Sequence, residues 1–128
     1  DEEQAEQARD IVAWIESTRG PGTVIILGDF SEPADSQTYA VMTTEGGYTD
    51  AAATAVETPS AGTCCRLSVL GEQPPLTATT AYIFTNGLKA TSVSVFAEEP
   101  GTRADGTLLY ASDQNGLMAV FPLRRVGE

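Results

Sequence analysis

The N-terminal segment has the hydrophobic spacing of an amphipathic helix. Over residues 4–18, apolar side chains recur at intervals of three and four, which places them on one helix face. These residues are Ala5, Ala8, Ile11, Val12 and Ile15. Trp14 is expected to pack at the boundary between two layers. The sequence Arg19-Gly20-Pro21-Gly22 ends the helix, because glycine suits a helix C-terminus and proline cannot continue one.

The next segment predicts a buried strand. Residues 23–27 are apolar on both alternating faces and rich in branched side chains, a pattern typical of a strand covered on both sides. We therefore expect a central strand, which ends at Gly28-Asp29-Phe30.

Weaker signals follow this strand. Asp35 or Ser36 is a candidate cap for a short helix that runs through Met42 and ends at Gly46-Gly47. Residues 48–76 show no sustained period, so they predict loop with one short helix.

The C-terminal third predicts strands. Residues 79–85 are strand-like, Asn86-Gly87 is a strong tight-turn pair, and residues 88–97 alternate apolar and polar side chains. Residues 98–106 predict a charged loop. Residues 117–123 form a last apolar strand. Helices and strands together predict one α+β domain over residues 1–128, a length that suits a single domain.

Composition limits the partners and the chemistry. The chain has 18 acidic and 7 basic residues, a formal net charge of −11, which makes nucleic acid and anionic membranes unlikely partners. It contains no histidine, which excludes an imidazole base, a Ser-His-Asp or Cys-His arrangement within the chain, and every histidine-bearing metal site. No apolar stretch approaches the length needed to span a bilayer.

The two cysteines are adjacent. A bond between Cys64 and Cys65 requires a small ring outside ordinary disulfide geometry, so two buried thiols are the expected state. The compartment stays undecided; a secreted or extracytoplasmic location is open, because a signal segment could already have been removed.

Several short motifs stand in a recognisable order. Gly28-Asp29-Phe30 follows the apolar strand, Tyr82-Ile83-Phe84 lies in the second strand, and Ser112-Asp113 precedes the last strand. Gly47-Tyr48-Thr49-Asp50 and Gly62-Thr63-Cys64-Cys65 extend the match over nearly the whole chain. In this order the motifs resemble the C-terminal half of the endonuclease/exonuclease/phosphatase superfamily, whose members include deoxyribonuclease I-like enzymes.

The resemblance implies a fold and a need for a partner. It implies half of a four-layer α/β/β/α sandwich, with one mixed, mainly antiparallel sheet and flanking helices. A strand that is apolar on both faces needs cover, so a protein partner or a second copy of the chain is expected over the open sheet face.

The resemblance also implies which residues correspond to the site of a metal-dependent phosphoesterase. Asp29 and Asp113 match two of its aspartates and are the candidate metal ligands. Ser31 stands in place of the asparagine of the first motif, and Gln114 in place of the histidine of the last. The aspartate of the middle motif is Ala81 here. Two carboxylates alone predict no cofactor, or at most weak Mg²⁺ binding.

Two functions are therefore open. The first is a catalytically degenerate, phosphodiesterase-like module that acts as a structural or protein-binding subunit. The second is the C-terminal part of a divalent-metal-dependent phosphodiesterase or nuclease that another chain, or a missing N-terminal half, completes. Beside both stands a purely structural interpretation, in which Asp29 and Asp113 accept hydrogen bonds in turns.

Overall fold

The computed structural model describes residues 2–122. Helix α1 (Glu2–Thr18) leads into strand β1 (Ile25–Asp29), and helix α2 (Gln37–Ala40) continues into a π-helical segment (Val41–Glu45). The remaining elements are, in order, β2 (Thr49–Asp50), α3 (Ala51–Thr54), β3 (Ala81–Thr85), β4 (Ser92–Phe96), β5 (Gly101–Thr102), β6 (Leu108–Leu109) and β7 (Gly116–Val120).

The α+β class is confirmed, with the strands distributed over three antiparallel sheets. The largest has the order β1-β3-β2, and the two smaller ones pair β4 with β7 and β5 with β6. Ser36 is the cap of α2, since its hydroxyl accepts a hydrogen bond from the N–H of Tyr39. The part of the last predicted strand at Leu123 lies outside the described residues.

The two faces of the β1-β3 pair support two cores. On one face, Tyr82 and Phe84 of β3 pack with Ala5 and Ala8 of α1 and with Met42. The T-shaped contact between Phe30 and Phe84, with ring centroids 5.3 Å apart, closes this core.

The second core lies on the opposite face of the sheet. Here Ile83 packs with Ala51 and Val93, and Leu117 of β7 lies against them. Strands β4 and β7 therefore cover β3 but leave part of β1 open.

The prediction of a central strand buried on both sides is wrong for β1. Among the described residues β1 is an edge strand, and the side chains of Ile25 and Leu27 are 45% and 72% exposed. The apolar run correctly indicated a strand with two faces that need cover, but it carries no information about whether this chain supplies both covers. Trp14, expected at a layer boundary, is also exposed, at 66%.

The expectation of two buried thiols is also wrong. The structure joins Cys64 and Cys65 in a disulfide across a cis peptide bond, with their Cα atoms 3.1 Å apart, and Cys65 is exposed. The sequence argued against this pairing because a bond between neighbouring cysteines closes a small ring outside ordinary disulfide geometry.

Within residues 2–122, no helix is both long and apolar enough to cross a membrane. The longest helix, α1, has 17 residues and carries charged side chains along much of its length.

Candidate functional site

Asp29 is the last residue of β1, and the turn after it is built on its side chain. The main-chain N–H of Ser31 donates to Asp29 Oδ1 at 2.8 Å, and Ser31 itself has a positive φ of 58°. An aspartate that accepts from the residue two positions later is ordinary turn chemistry. One carboxylate oxygen of Asp29 therefore has the role that the purely structural interpretation predicts, since it accepts a hydrogen bond in a turn.

The other oxygen of Asp29 contacts the loop before β7. Gln114 Nε2 donates to Asp29 Oδ2 at 2.6 Å, across 85 positions of the chain. Of the four sequence-predicted site residues, Asp29, Ser31 and Gln114 thus lie in one hydrogen-bonded group. The group sits where the C-terminal end of β1 meets the loop that leads into β7.

These contacts favour the ionised form of Asp29. Partial burial raises the pKa of its carboxyl, while the hydrogen bonds from Gln114 and from the N–H of Ser31 lower it. The hydrogen bonds outweigh burial, so the pKa lies below its ordinary value. Asp29 is consequently ionised at neutral pH and is the acceptor for the Gln114 amide.

Ala81 lies beside this group. It is paired directly with Asp29 in the register of β1 with β3. Directly paired residues in antiparallel strands have their side chains on the same face, with Cβ atoms roughly 5 Å apart. A methyl group therefore occupies the position next to the Asp29 carboxylate, and it offers neither a charge nor a hydrogen bond.

Asp113 is exposed, and its contacts are local. Its Oδ1 accepts from the hydroxyl of Ser112 at 3.2 Å, and its main-chain carbonyl accepts from the N–H of Arg66 at 2.6 Å. It follows Ser112 in a turn in which the N–H of Gln114 donates to the Ser112 hydroxyl. The structure brings Gln114, rather than the Asp113 carboxylate, into contact with Asp29.

The described donor set is too small to hold a metal ion by protein ligands alone. Among residues 2–122, no group of three or more histidine, cysteine, aspartate or glutamate side chains is placed to hold one. Asp29 uses both carboxylate oxygens as hydrogen-bond acceptors. Magnesium in proteins is usually held by one or two carboxylates together with substrate phosphates and water. Whether Asp29 and Asp113 bind it weakly stays a prediction.

A buried arginine positions the loop that carries Gln114. Arg66 is only 7% exposed, and its guanidinium donates to the main-chain carbonyls of Ser112 and Glu98 and to Asn115 Oδ1. It also lies over the ring of Tyr110, with its central carbon 4.2 Å from the centroid. The segment before and after Gln114 is therefore fixed to one cation.

Sequence reasoning missed Arg66. It stands directly after the two cysteines in a segment without periodicity, and no motif singles it out. Its importance comes only from contacts with residues 32 to 49 positions away. A buried charge needs such partners. The burial of Arg66 would therefore have indicated its role, but burial can be seen only in the folded structure.

Asp50, the last residue of the Gly47-Tyr48-Thr49-Asp50 motif, has a structural role. Its carboxylate caps α3 by accepting from the N–H of Ala52 at 2.9 Å, and it also accepts from the hydroxyl of Tyr39 at 3.0 Å. Burial raises the pKa of this carboxyl above its ordinary value in spite of these hydrogen bonds, which act in the other direction.

Comparison with solved structures identifies the architecture. An endonuclease/exonuclease/phosphatase protein from Bacteroides vulgatus superposes on 96% of the chain with a TM-score of 0.67 and 20% identity. An endonuclease/exonuclease/phosphatase family protein from Bacteroides thetaiotaomicron covers 94% with a TM-score of 0.71 and 19% identity. The chain has the endonuclease/exonuclease/phosphatase fold. A mannosyl-6-phosphatase from the same organism covers 92%, with a TM-score of 0.70 and 19% identity.

The match is to part of each neighbour. The chain spans 45–46% of the length of these three endonuclease/exonuclease/phosphatase proteins, as the resemblance to one half of the superfamily fold implies. No protein-family model matches the chain, and neither does any curated protein.

Proposed function

We propose that this chain is a catalytically degenerate module of the endonuclease/exonuclease/phosphatase fold, and that it acts by binding another polypeptide. The observation that carries the proposal is the contact between Gln114 and Asp29, with Ala81 paired to Asp29. In the superfamily that the motifs resemble, a histidine and an aspartate correspond to positions 114 and 81.

The substitutions remove proton transfer from this place. An imidazole changes its protonation near neutral pH and can accept or donate a proton, whereas the amide of Gln114 cannot. A carboxylate at position 81 would have oriented that imidazole, and the methyl group of Ala81 does not. Each change makes the other residue's former role unnecessary, which supports a joint loss rather than two unrelated substitutions.

The open face of β1 supports the binding part of the proposal. Ile25 and Leu27 together present apolar side chains that are largely uncovered by the described residues. Burying such side chains is favourable by roughly 25 cal/mol for each square ångström of apolar surface. A protein partner or a second copy over this face would gain that energy.

Hydrolysis assays test the catalytic part. We expect the chain to hydrolyse neither bis(4-nitrophenyl) phosphate nor 4-nitrophenyl phosphate in the presence of Mg²⁺ or Mn²⁺, because the amide of Gln114 and the methyl group of Ala81 supply no acid or base beside Asp29. The Asp29→Asn variant is the matched control. Metal-dependent release of nitrophenolate by the original chain that is absent in Asp29→Asn would contradict the proposal.

A second candidate function rests on the length of the neighbours. Because the chain spans less than half of each, a separate polypeptide could supply the missing groups of a metal-dependent phosphodiesterase. The test adds the uncovered part of the Bacteroides thetaiotaomicron family protein to the same assay. Turnover that requires both polypeptides and disappears with Asp29→Asn would establish this candidate in place of the first.

A further inference from the structure

The Cys64–Cys65 disulfide joins two neighbouring residues that stand between two buried ones. Cys65 is exposed and Cys64 is half-buried, whereas Thr63 and Arg66 are only 0% and 7% exposed. An external thiol exchanges with a disulfide at the sulfur that it can reach. The sulfur of Cys65 is therefore the accessible point of attack, next to residues that are packed inside the fold.

Thr63, on one side of the disulfide, holds the segment that enters β3. Its hydroxyl accepts hydrogen bonds from the N–H groups of Thr80 and Ala81, at 3.1 and 3.2 Å. Its own N–H donates to the carbonyl of Ala78 at 2.8 Å. Since Ala81 is the residue paired with Asp29, Thr63 positions the part of β3 that lies beside the Asp29 carboxylate.

Arg66, on the other side of the disulfide, holds the loop that carries Gln114. Its main-chain N–H donates to the carbonyl of Asp113 at 2.6 Å, in addition to the contacts of its guanidinium. The side chain of Asn115 joins the two sides, because its Oδ1 accepts from Arg66 and its Nδ2 donates to the carbonyl of Gly62 at 2.9 Å. The residues that flank the disulfide therefore hold Gln114 through both of its neighbours.

The disulfide and the candidate site thus belong to one closed set of contacts. Thr63 leads through Ala81 to Asp29, and Arg66 leads to Gln114. The hydrogen bond from Gln114 to Asp29 joins the two branches. Such a set couples two places when one of its elements has two discrete arrangements. The disulfide is such an element, because its sulfurs are bonded in the oxidised state and separate in the reduced state.

We propose that Cys65 is a site of thiol–disulfide exchange, and that reduction by a dithiol releases Gln114 from Asp29. A thiolate of the dithiol attacks Sγ of Cys65, the bond to Sγ of Cys64 breaks, and Cys64 leaves as a thiolate that takes up a proton. The second thiolate of the dithiol then attacks the dithiol sulfur in the mixed disulfide and expels Cys65, which is protonated in turn. The protein gains two electrons and two protons, and the dithiol becomes a cyclic disulfide.

Opening the small ring loosens the main chain between Thr63 and Arg66. The closed ring restricts the rotations of both cysteines, and the reduced chain regains them. The N–H of Cys64 donates to the carbonyl of Ala78 at 2.9 Å, so the freedom falls on the exposed side, toward Arg66. Movement of Arg66 displaces the loop that carries Gln114. This inference goes beyond the proposed function and does not depend on it, since the same contacts would hold a catalytic site.

Hydrogen exchange of the folded chain tests the release. NMR follows the main-chain N–H groups of Arg66 and Ala81 with and without dithiothreitol, and labelling of both cysteines by iodoacetamide verifies the reduction. We expect both groups to exchange roughly tenfold faster in the reduced chain. The N–H of Val93, which donates to the carbonyl of Glu57 at 2.8 Å away from these contacts, is the internal control and should keep its rate.

The double variant Cys64→Ser/Cys65→Ser is the matched control for the reductant. We expect fast exchange at Arg66 and Ala81 in this variant without dithiothreitol, and no change when it is added. If the variant does not fold, the comparison within the original chain decides. Cysteines that resist dithiothreitol in the folded chain, unchanged exchange after reduction, or equal acceleration at Val93 would each overturn the proposal.

The pKa of Asp29 shows whether Gln114 leaves it. Partial burial raises this pKa, and the hydrogen bond from Gln114 lowers it. Reduction should therefore raise the pKa of Asp29 in the original chain and leave it unchanged in Cys64→Ser/Cys65→Ser. An unchanged pKa after reduction of the original chain would refute the release of Gln114. Metal-dependent turnover in the hydrolysis assay, equal in both redox states, would refute the degenerate-module proposal alone.

Discussion

At the scale of single residues, the amide of Gln114 favours the ionised form of Asp29 in the candidate site. An amide has no protonation change in the ordinary pH range, so Asp29 is the group that titrates in this contact. The hydrogen bond favours the ionised carboxylate, and together with the N–H of Ser31 it lowers the pKa of Asp29 despite partial burial. The contact therefore weakens only under acidic conditions.

The pKa of Asp29 is the direct test of this contact. We expect NMR titration to place it below its ordinary value of about 3.9 and to move it upward in Gln114→Ala. Because the folded-state pKa is the lower one, the contact contributes stability above the unfolded-state pKa and loses it as the pH falls through the folded-state value. The destabilisation of Gln114→Ala should thus be present at neutral pH and vanish in strong acid.

Asp105 provides the internal control for that titration. Its pKa is also lowered, chiefly by the N–H of Thr107, in a turn that Gln114 does not contact. The pKa of Asp105 should stay constant in Gln114→Ala. A variant that leaves the pKa of Asp29 unchanged would show that the amide does not donate to this carboxylate in solution.

Among the elements, those with local signals could be predicted from the sequence. The period of α1 and the apolar run of β1 each specify a conformation through neighbouring residues alone. Asn86-Gly87 is a bend after β3 with Gly87 at a φ of 97°, but β3 and β4 do not pair across it as a hairpin. The segment of residues 48–76 differs, because distant partners hold it. The hydroxyl of Thr63, for example, accepts hydrogen bonds from the N–H groups of Thr80 and Ala81. No local pattern reveals such contacts.

Gly62 is a sharp test of how this irregular segment packs. A Cβ atom at Gly62 would meet the carbonyl oxygen of Ala78 and lie 2.6 Å from the carbonyl carbon of Thr77. Both are main-chain atoms that cannot rotate aside. We expect Gly62→Ala to lower the free energy of unfolding by about 2 kcal/mol, measured by urea denaturation.

Gly28 offers a matched substitution in β1. A Cβ atom there meets nothing within 4 Å. Gly28→Ala should change the free energy of unfolding by no more than about 0.5 kcal/mol. Similar unfolding midpoints for the two alanine variants would mean that the segment at Gly62 is not held against residues 77 and 78 in solution.

On the scale of the whole molecule, the sequence indicated the fold and two residues that meet at the candidate site, but not the edge position of β1. Matched motifs located Asp29 and Gln114, which the fold brings together. Apolarity at Ile25 and Leu27 on one face, and at Val24 and Ile26 on the other, showed that both faces of β1 need cover. Which polypeptide supplies the cover is a property of an assembly, so one chain's hydrophobic pattern does not contain it.

Thermal unfolding tests the whole chain for a magnesium site. We expect about 10 mM MgCl₂ and NaCl at matched ionic strength to give the same unfolding midpoint, because the described carboxylates form no ligand cluster. A ligand present at a hundredfold excess over its Kd would stabilise the chain by about 2.7 kcal/mol. A magnesium-specific rise in the midpoint that Asp29→Asn abolishes would contradict this expectation.

The pairing of Ala81 with Asp29 also limits which ionisable side chains this corner of the sheet can hold. An aspartate placed alone at position 81 would stand beside a second anion, with an amide as its nearest substitute for imidazole. A histidine placed at position 114 would meet the Asp29 carboxylate, which can accept a hydrogen bond from its ring, whereas the methyl group of Ala81 cannot. A cation at either position would face the Asp29 carboxylate and an added anion would be repelled by it, so this one side chain limits the charge that the corner of the sheet can hold.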